Sequence, residues 1–122
     1  MNTKHYVSQD VAKMLKEKGF NESCIVLWDE VFKELIPASS ICSYKNQNHP
    51  NGYCSAPSLL EAMDWLEERG IRIELHWTKE TGWWYMIIEC APGHIVNFAD
   101  STYFIDRNEC MNAAIKKGLE LL

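Results

Sequence analysis

The chain has 122 residues, 47% apolar and 24% charged, enough for one compact core and too apolar for a disordered tail. Its net charge is −5 and no group of lysines and arginines is dense enough to follow a phosphate backbone, so no nucleic-acid partner is expected. No apolar run approaches the roughly 20 residues that span a bilayer, and the start, Met1 to Val7, lacks the apolar stretch of a signal peptide. These exclusions predict a single globular domain over 1–122, in the cytoplasm and without a membrane partner.

The first helix is expected from about Gln9 to Lys18, with Ser8 as its cap, Val11, Ala12, Met14 and Leu15 on its apolar face, and Gly19 at its end. Cys24 to Trp28 is a short β-type run. Between Asp29 and Tyr53 the pattern is mixed, and a strand is expected near Leu35. Lys45 to Gly52 is almost pure turn chemistry. Pro57 and Ser58-Leu-Leu-Glu61 then open a second helix through a capping box, with Leu59, Ala62, Met63 and Leu66 recurring at helical spacing and Gly70 closing it.

From Ile71 to Cys90 two alternating runs flank Lys79-Glu-Thr-Gly82, which reads as a four-residue hairpin loop. Setting Thr78 opposite Trp83 makes one face uniformly apolar, with Trp77, Leu75, Ile73 and Ile71 opposite Trp84, Met86, Ile88 and Cys90. The other face then holds His76 with Tyr85, Glu74 with Ile87, and Arg72 with Glu89. A further strand is expected between Ile95 and Phe104. A last helix starts at Asp106 with a second capping box, Asp106-Arg-Asn-Glu109. The order predicts an α+β fold, a small antiparallel sheet of three to five strands with about three helices packed mainly on one face.

In that register Trp83, Tyr85 and Ile87 lie on the outer face beside His76 and form a partner-binding surface, for a protein partner or a second copy as homodimer. A loop folded over this face, or a small-ligand pocket, are the other readings. No metal site is expected: Cys42, His49, Cys54 and His94 carry suitable ligand atoms, but at spacings that match no compact zinc module. The five cysteines, Cys24, Cys42, Cys54, Cys90 and Cys110, are odd in number and contain no C-x-x-C pair, against a disulfide framework. No glycine-rich phosphate loop or other cofactor motif occurs, and no cofactor is expected.

Cys54 precedes the second helix, His94 follows in Gly-His-Ile-Val, and Asp100 or Asn97 would orient the imidazole. That order resembles papain-like thiol hydrolases, which implies Cys54 as nucleophile, His94 as base and Asp100 as the third member. No glutamine precedes Cys54 in an oxyanion-hole arrangement, and Cys54 and His94 also read as ordinary loop and turn residues.

Lys16-Glu-Lys-Gly-Phe20, Leu27-Trp-Asp29, Ser55-Ala-Pro-Ser-Leu-Leu-Glu-Ala-Met-Asp-Trp-Leu66, Gly82-Trp-Trp-Tyr-Met-Ile-Ile88 and the stretch from Asn108 to the final leucines give the chain a second likeness. It resembles short phage- and prophage-encoded proteins of anaerobic gut bacteria, a group that brings no known activity and no catalytic residues. The resemblance implies a small intracellular accessory protein of a mobile element. The helix–strand–strand–strand–helix order from residue 57 onward is also similar to a double-stranded-RNA-binding domain, but Asp106 and Glu109 stand where such a domain needs a basic helix start.

Overall fold

The computed structural model describes residues 3–38, 52–89, 98–99 and 102–122. The chain divides into two compact units, Met1–Ser58 and Leu59–Leu122. The fold class is α+β, with three α-helices and two small antiparallel sheets. The strands expected in one sheet are thus divided between two.

In the first unit a short 3₁₀ turn, Thr3–His5, precedes α1, Gln9–Glu17. Val11, Ala12 and Leu15 are its buried residues, one stripe at helical spacing. Ser8 occupies the cap position with extended backbone, but its hydroxyl donates to the Asp10 carboxylate instead of capping the helix. The helix ends in a Schellman motif: Phe20 N–H reaches Leu15 O at 2.9 Å, Gly19 N–H reaches Lys16 O at 3.2 Å, and Gly19 takes φ +95°. Strands β1, Val26–Asp29, β2, Glu34–Pro37, and β3, Tyr53–Ser55, form a sheet in the order β2-β1-β3. The strand expected near Leu35 is present, with Leu35 opposite Trp28. Trp28 Nε1 donates to Val7 O at 2.8 Å, and Lys16 Nζ donates to Tyr53 O at 3.1 Å, tying α1 to β3.

The second unit runs α2, Leu59–Glu68, β4, Ile71–Thr78, β5, Gly82–Glu89, β6, Phe98–Ala99, and α3, Arg107–Glu120. The strand order is β4-β5-β6, all antiparallel. The Asp106 side chain caps α3 by accepting from Asn108 N–H at 2.8 Å. Both helices pack against β4, and α3 against β5 as well. The core gathers Ala62, Trp65 and Leu66 of α2, Ile71, Ile73, Tyr85 and Ile87 of the sheet, and Cys110, Ala114, Ile115 and Leu119 of α3. Gly118 lets α3 approach closely, since a Cβ there would lie 3.1 Å from both Ile71 Cγ2 and Leu66 Cδ1.

The hairpin register differs by one residue from the expected one. Thr78 pairs with Gly82, not Trp83, so Trp77 faces Trp83, Leu75 faces Tyr85 and Ile73 faces Ile87. The loop is three residues, Lys79–Thr81, and Gly82 at φ +83° belongs to the strand, the arrangement of a three-residue loop closed by a left-handed glycine. A Cβ at Gly82 would stand 2.7 Å from the Phe104 carbonyl oxygen, so the position needs glycine twice over. A slip of one residue exchanges the two faces of β5 relative to β4.

Candidate functional site

The corrected register redistributes the four residues expected to form an outer binding face. Tyr85 and Ile87 are buried, 3% and 0% exposed, and belong to the core face that the helices cover. Trp83 shares their side of the sheet but is only half-buried, near the turn. His76 lies on the opposite side, paired with Trp84, whose own neighbours on that side are Met86 and Ile88. The residues expected to form one surface are therefore not brought together. Trp84, which the sequence pattern assigned to the core, is a surface candidate instead.

What assembles instead is an aromatic group around the turn end of the hairpin. His76 stacks on Trp84 with ring centroids 5.3 Å apart and an 18° interplanar angle. Tyr103 meets Trp84 edge-on at 6.1 Å. On the other side, Trp77 lies 6.5 Å from Trp83, and Phe104 lies 6.5 Å from Tyr85. Phe104 is fixed by a backbone bridge to Trp83, with two N–H···O bonds of 2.8 Å. Trp77 is 56% exposed, Tyr103 55% and Ile105 fully exposed. Their sequence signal was weak, because Tyr103 and Ile105 are remote from the hairpin turn in the chain, and the bridge between Phe104 and Trp83 is what sets their neighbour Phe104 against it. The Nε2 atom of His76 is buried and has no hydrogen-bond partner among the described residues.

Cys54 is the other candidate. It is fully buried in mid-β3, opposite Trp28, and α2 begins only at Leu59. Its thiol donates to Glu30 Oε1 at 3.0 Å. Burial pushes it from an ordinary 9.0 up to about 12, and the hydrogen bond to Glu30 and that carboxylate's charge act in the same direction, against Lys16 and Lys13. A nucleophilic cysteine needs the opposite surroundings, electropositive and open to solvent. His94 and Asp100, the expected base and orienting residue, lie outside the described residues, as do Cys42 and His49. Among the described residues no group of three or more His, Cys, Asp or Glu could hold a metal ion.

A surface hollow of about 540 Å³ lies between the start of α1 and the β1–β2 turn, lined by Asp10, Lys13, Glu30 and Lys33 among others. Its two acids and two lysines balance, so it presents no net charge to select a ligand. No helix among the described residues is long and apolar enough to cross a membrane. Comparison with protein-family models, with characterised proteins and with solved structures gives no match.

Proposed function

We propose that the protein is a small binding module that holds a protein partner on the aromatic end of the 71–89 hairpin, acting as an accessory protein of a mobile element. The observation that carries this reading is Tyr103, more than half open to solvent and edge-on to Trp84, which itself stacks on His76 on the side of the sheet away from the helices. Large aromatic side chains in fixed positions give contact area at low ordering cost, and such residues dominate binding energy at interface centres. The net charge of −5 and the acids flanking Arg107 at the start of α3 favour a protein over a phosphate backbone. The accessory role rests on the phage-like resemblance.

The test compares partner capture by the wild-type protein with capture by Trp84→Ala and Tyr103→Ala, which remove the half of the group lying away from the helices. The expected result is a loss of affinity of at least about tenfold for a partner that the wild type binds, with the circular dichroism spectrum retained. Unchanged capture by both variants would sink the reading. Tyr85→Ala is unsuited to this purpose, because Tyr85 is a core residue and its loss would disturb the fold.

A further inference from the structure

Strand β4 lies at the edge of its sheet, and the far side of β5 shows which of its backbone groups are unused. Trp83 exchanges both backbone hydrogen bonds with Phe104, so its N–H and C=O point away from β4. Alternation turns those of Tyr85 and Ile87 the same way. The residues opposite them on β4, Trp77, Leu75 and Ile73, accordingly direct their N–H and C=O groups to the open edge. Among the described residues no strand pairs with that edge. Natural edges are commonly blunted by a proline, a lysine, a bulge or shortness. Ile71-Arg-Ile-Glu-Leu-His-Trp-Thr78 is eight residues in unbroken register without Pro or Lys, and its two charged side chains, Arg72 and Glu74, stand together on the face away from the helices.

We propose that this edge pairs antiparallel with the same edge of a second copy of the chain, with Leu75 on the two-fold axis, joining the two sheets into one. Outward-facing residues must meet outward-facing residues, which restricts the axis to a few positions. An axis at Glu74 would bring the two Glu74 carboxylates face to face, which repels. An axis at Ile73 would run the pairing back past Ile71 into Gly70, whose φ of +86° is not that of a strand. The axis at Leu75 uses Arg72 to Thr78 throughout. It sets Ile73 opposite the second copy's Trp77, which covers the exposed indole, and Glu74 opposite the second copy's His76, twice by symmetry. This inference does not depend on the aromatic end binding another protein.

The experiment is a mass measurement in solution across protein concentration, by sedimentation or native mass spectrometry. The expected result is a dimer whose Kd rises at least about tenfold in Leu75→Pro, because proline removes an outward N–H that its own sheet does not use. The same dimer should survive Trp84→Ala, which separates this interface from the partner surface. A second measurement stands even if Leu75→Pro fails to fold. Protein carrying Glu74→Cys is mixed with protein carrying His76→Cys and mildly oxidised. A disulfide between positions 74 and 76, identified by peptide mass, should form in the mixture, since facing residues of a non-hydrogen-bonded pair bring their Cβ atoms within disulfide reach. A wild-type protein still monomeric at about 100 µM overturns the proposal. So does a dimer that Leu75→Pro leaves unchanged while folded, or a dimer that mixes without the 74–76 link.

Discussion

Between β1 and β2 the chain turns through residues 30–33 and places Lys33 at φ +55°; between β4 and β5 it turns through Lys79–Thr81 and places Gly82 at φ +83°. The first turn is held by the Asp29 carboxylate, whose Oδ1 accepts from Val31 N–H at 2.9 Å and Phe32 N–H at 3.2 Å. Its tip is apolar and bare, with Val31 and Phe32 both 75% exposed. The second turn uses a residue without a side chain, and the backbone of Phe104 closes against it. One hairpin tolerates a strained lysine because its turn stands in solvent, whereas the other admits only glycine because a neighbouring segment occupies the space.

Gly82→Ala tests that difference most severely. It adds both a left-handed penalty and a clash with the Phe104 carbonyl, and should cost about 3 kcal/mol or more of stability. Chemical denaturation measures it, and a loss below about 1 kcal/mol would mean that the Phe104 segment gives way freely.

How far the sequence disclosed this can be judged at the same turn. Helices α2 and α3 were legible, because their apolar stripes are local signals and, in α3, Asp106 does cap the helix. The hairpin was legible as a hairpin, but its register was not. Placing Gly82 in the loop shifts the pairing by one residue, whereas the face that mixes Glu74 and Arg72 with Met86 and Ile88 is the real one. A sheet face that carries both charges and apolar side chains is no proof of a slip. The environment of Cys54 could not be read at all, since its decisive neighbour, Glu30, is distant in the chain and arrives through the pairing of β1 with β3.

The two units can also be compared through their buried thiols. Burial raises Cys110 in the second unit to about 11, and Cys54 in the first, with Glu30 added, to about 12. In the unfolded chain both ionise near 9.0, so the folded protein holds protons that the unfolded chain releases. Their stabilisation is complete below that value and is lost as pH rises toward 11 and then 12. Each protected thiol contributes up to about 1.4 kcal/mol per pH unit over that window. Denaturation at about pH 8 and pH 10 should show a fall of about 1–3 kcal/mol, smaller in Cys54→Ala; an identical fall in that variant would remove Cys54 from the explanation.

The smallest effect should come from the first hairpin. Lys33→Gly relieves the left-handed strain without disturbing the Asp29 turn, and should raise stability by about 0.5–1 kcal/mol. A loss of stability instead would show that the lysine stem contributes more to the turn than its backbone costs.

The Trp77–Trp83 pair also makes the register visible in solution. Two indoles with centroids 6.5 Å apart at a 49° tilt couple their excited states, so the hairpin carries its own exciton signature in the far-ultraviolet circular dichroism. Because that coupling depends on which two tryptophans face one another across the strands, the protein bears an optical marker of strand alignment. The marker fades when the hairpin opens, whatever the helices still contribute to the spectrum.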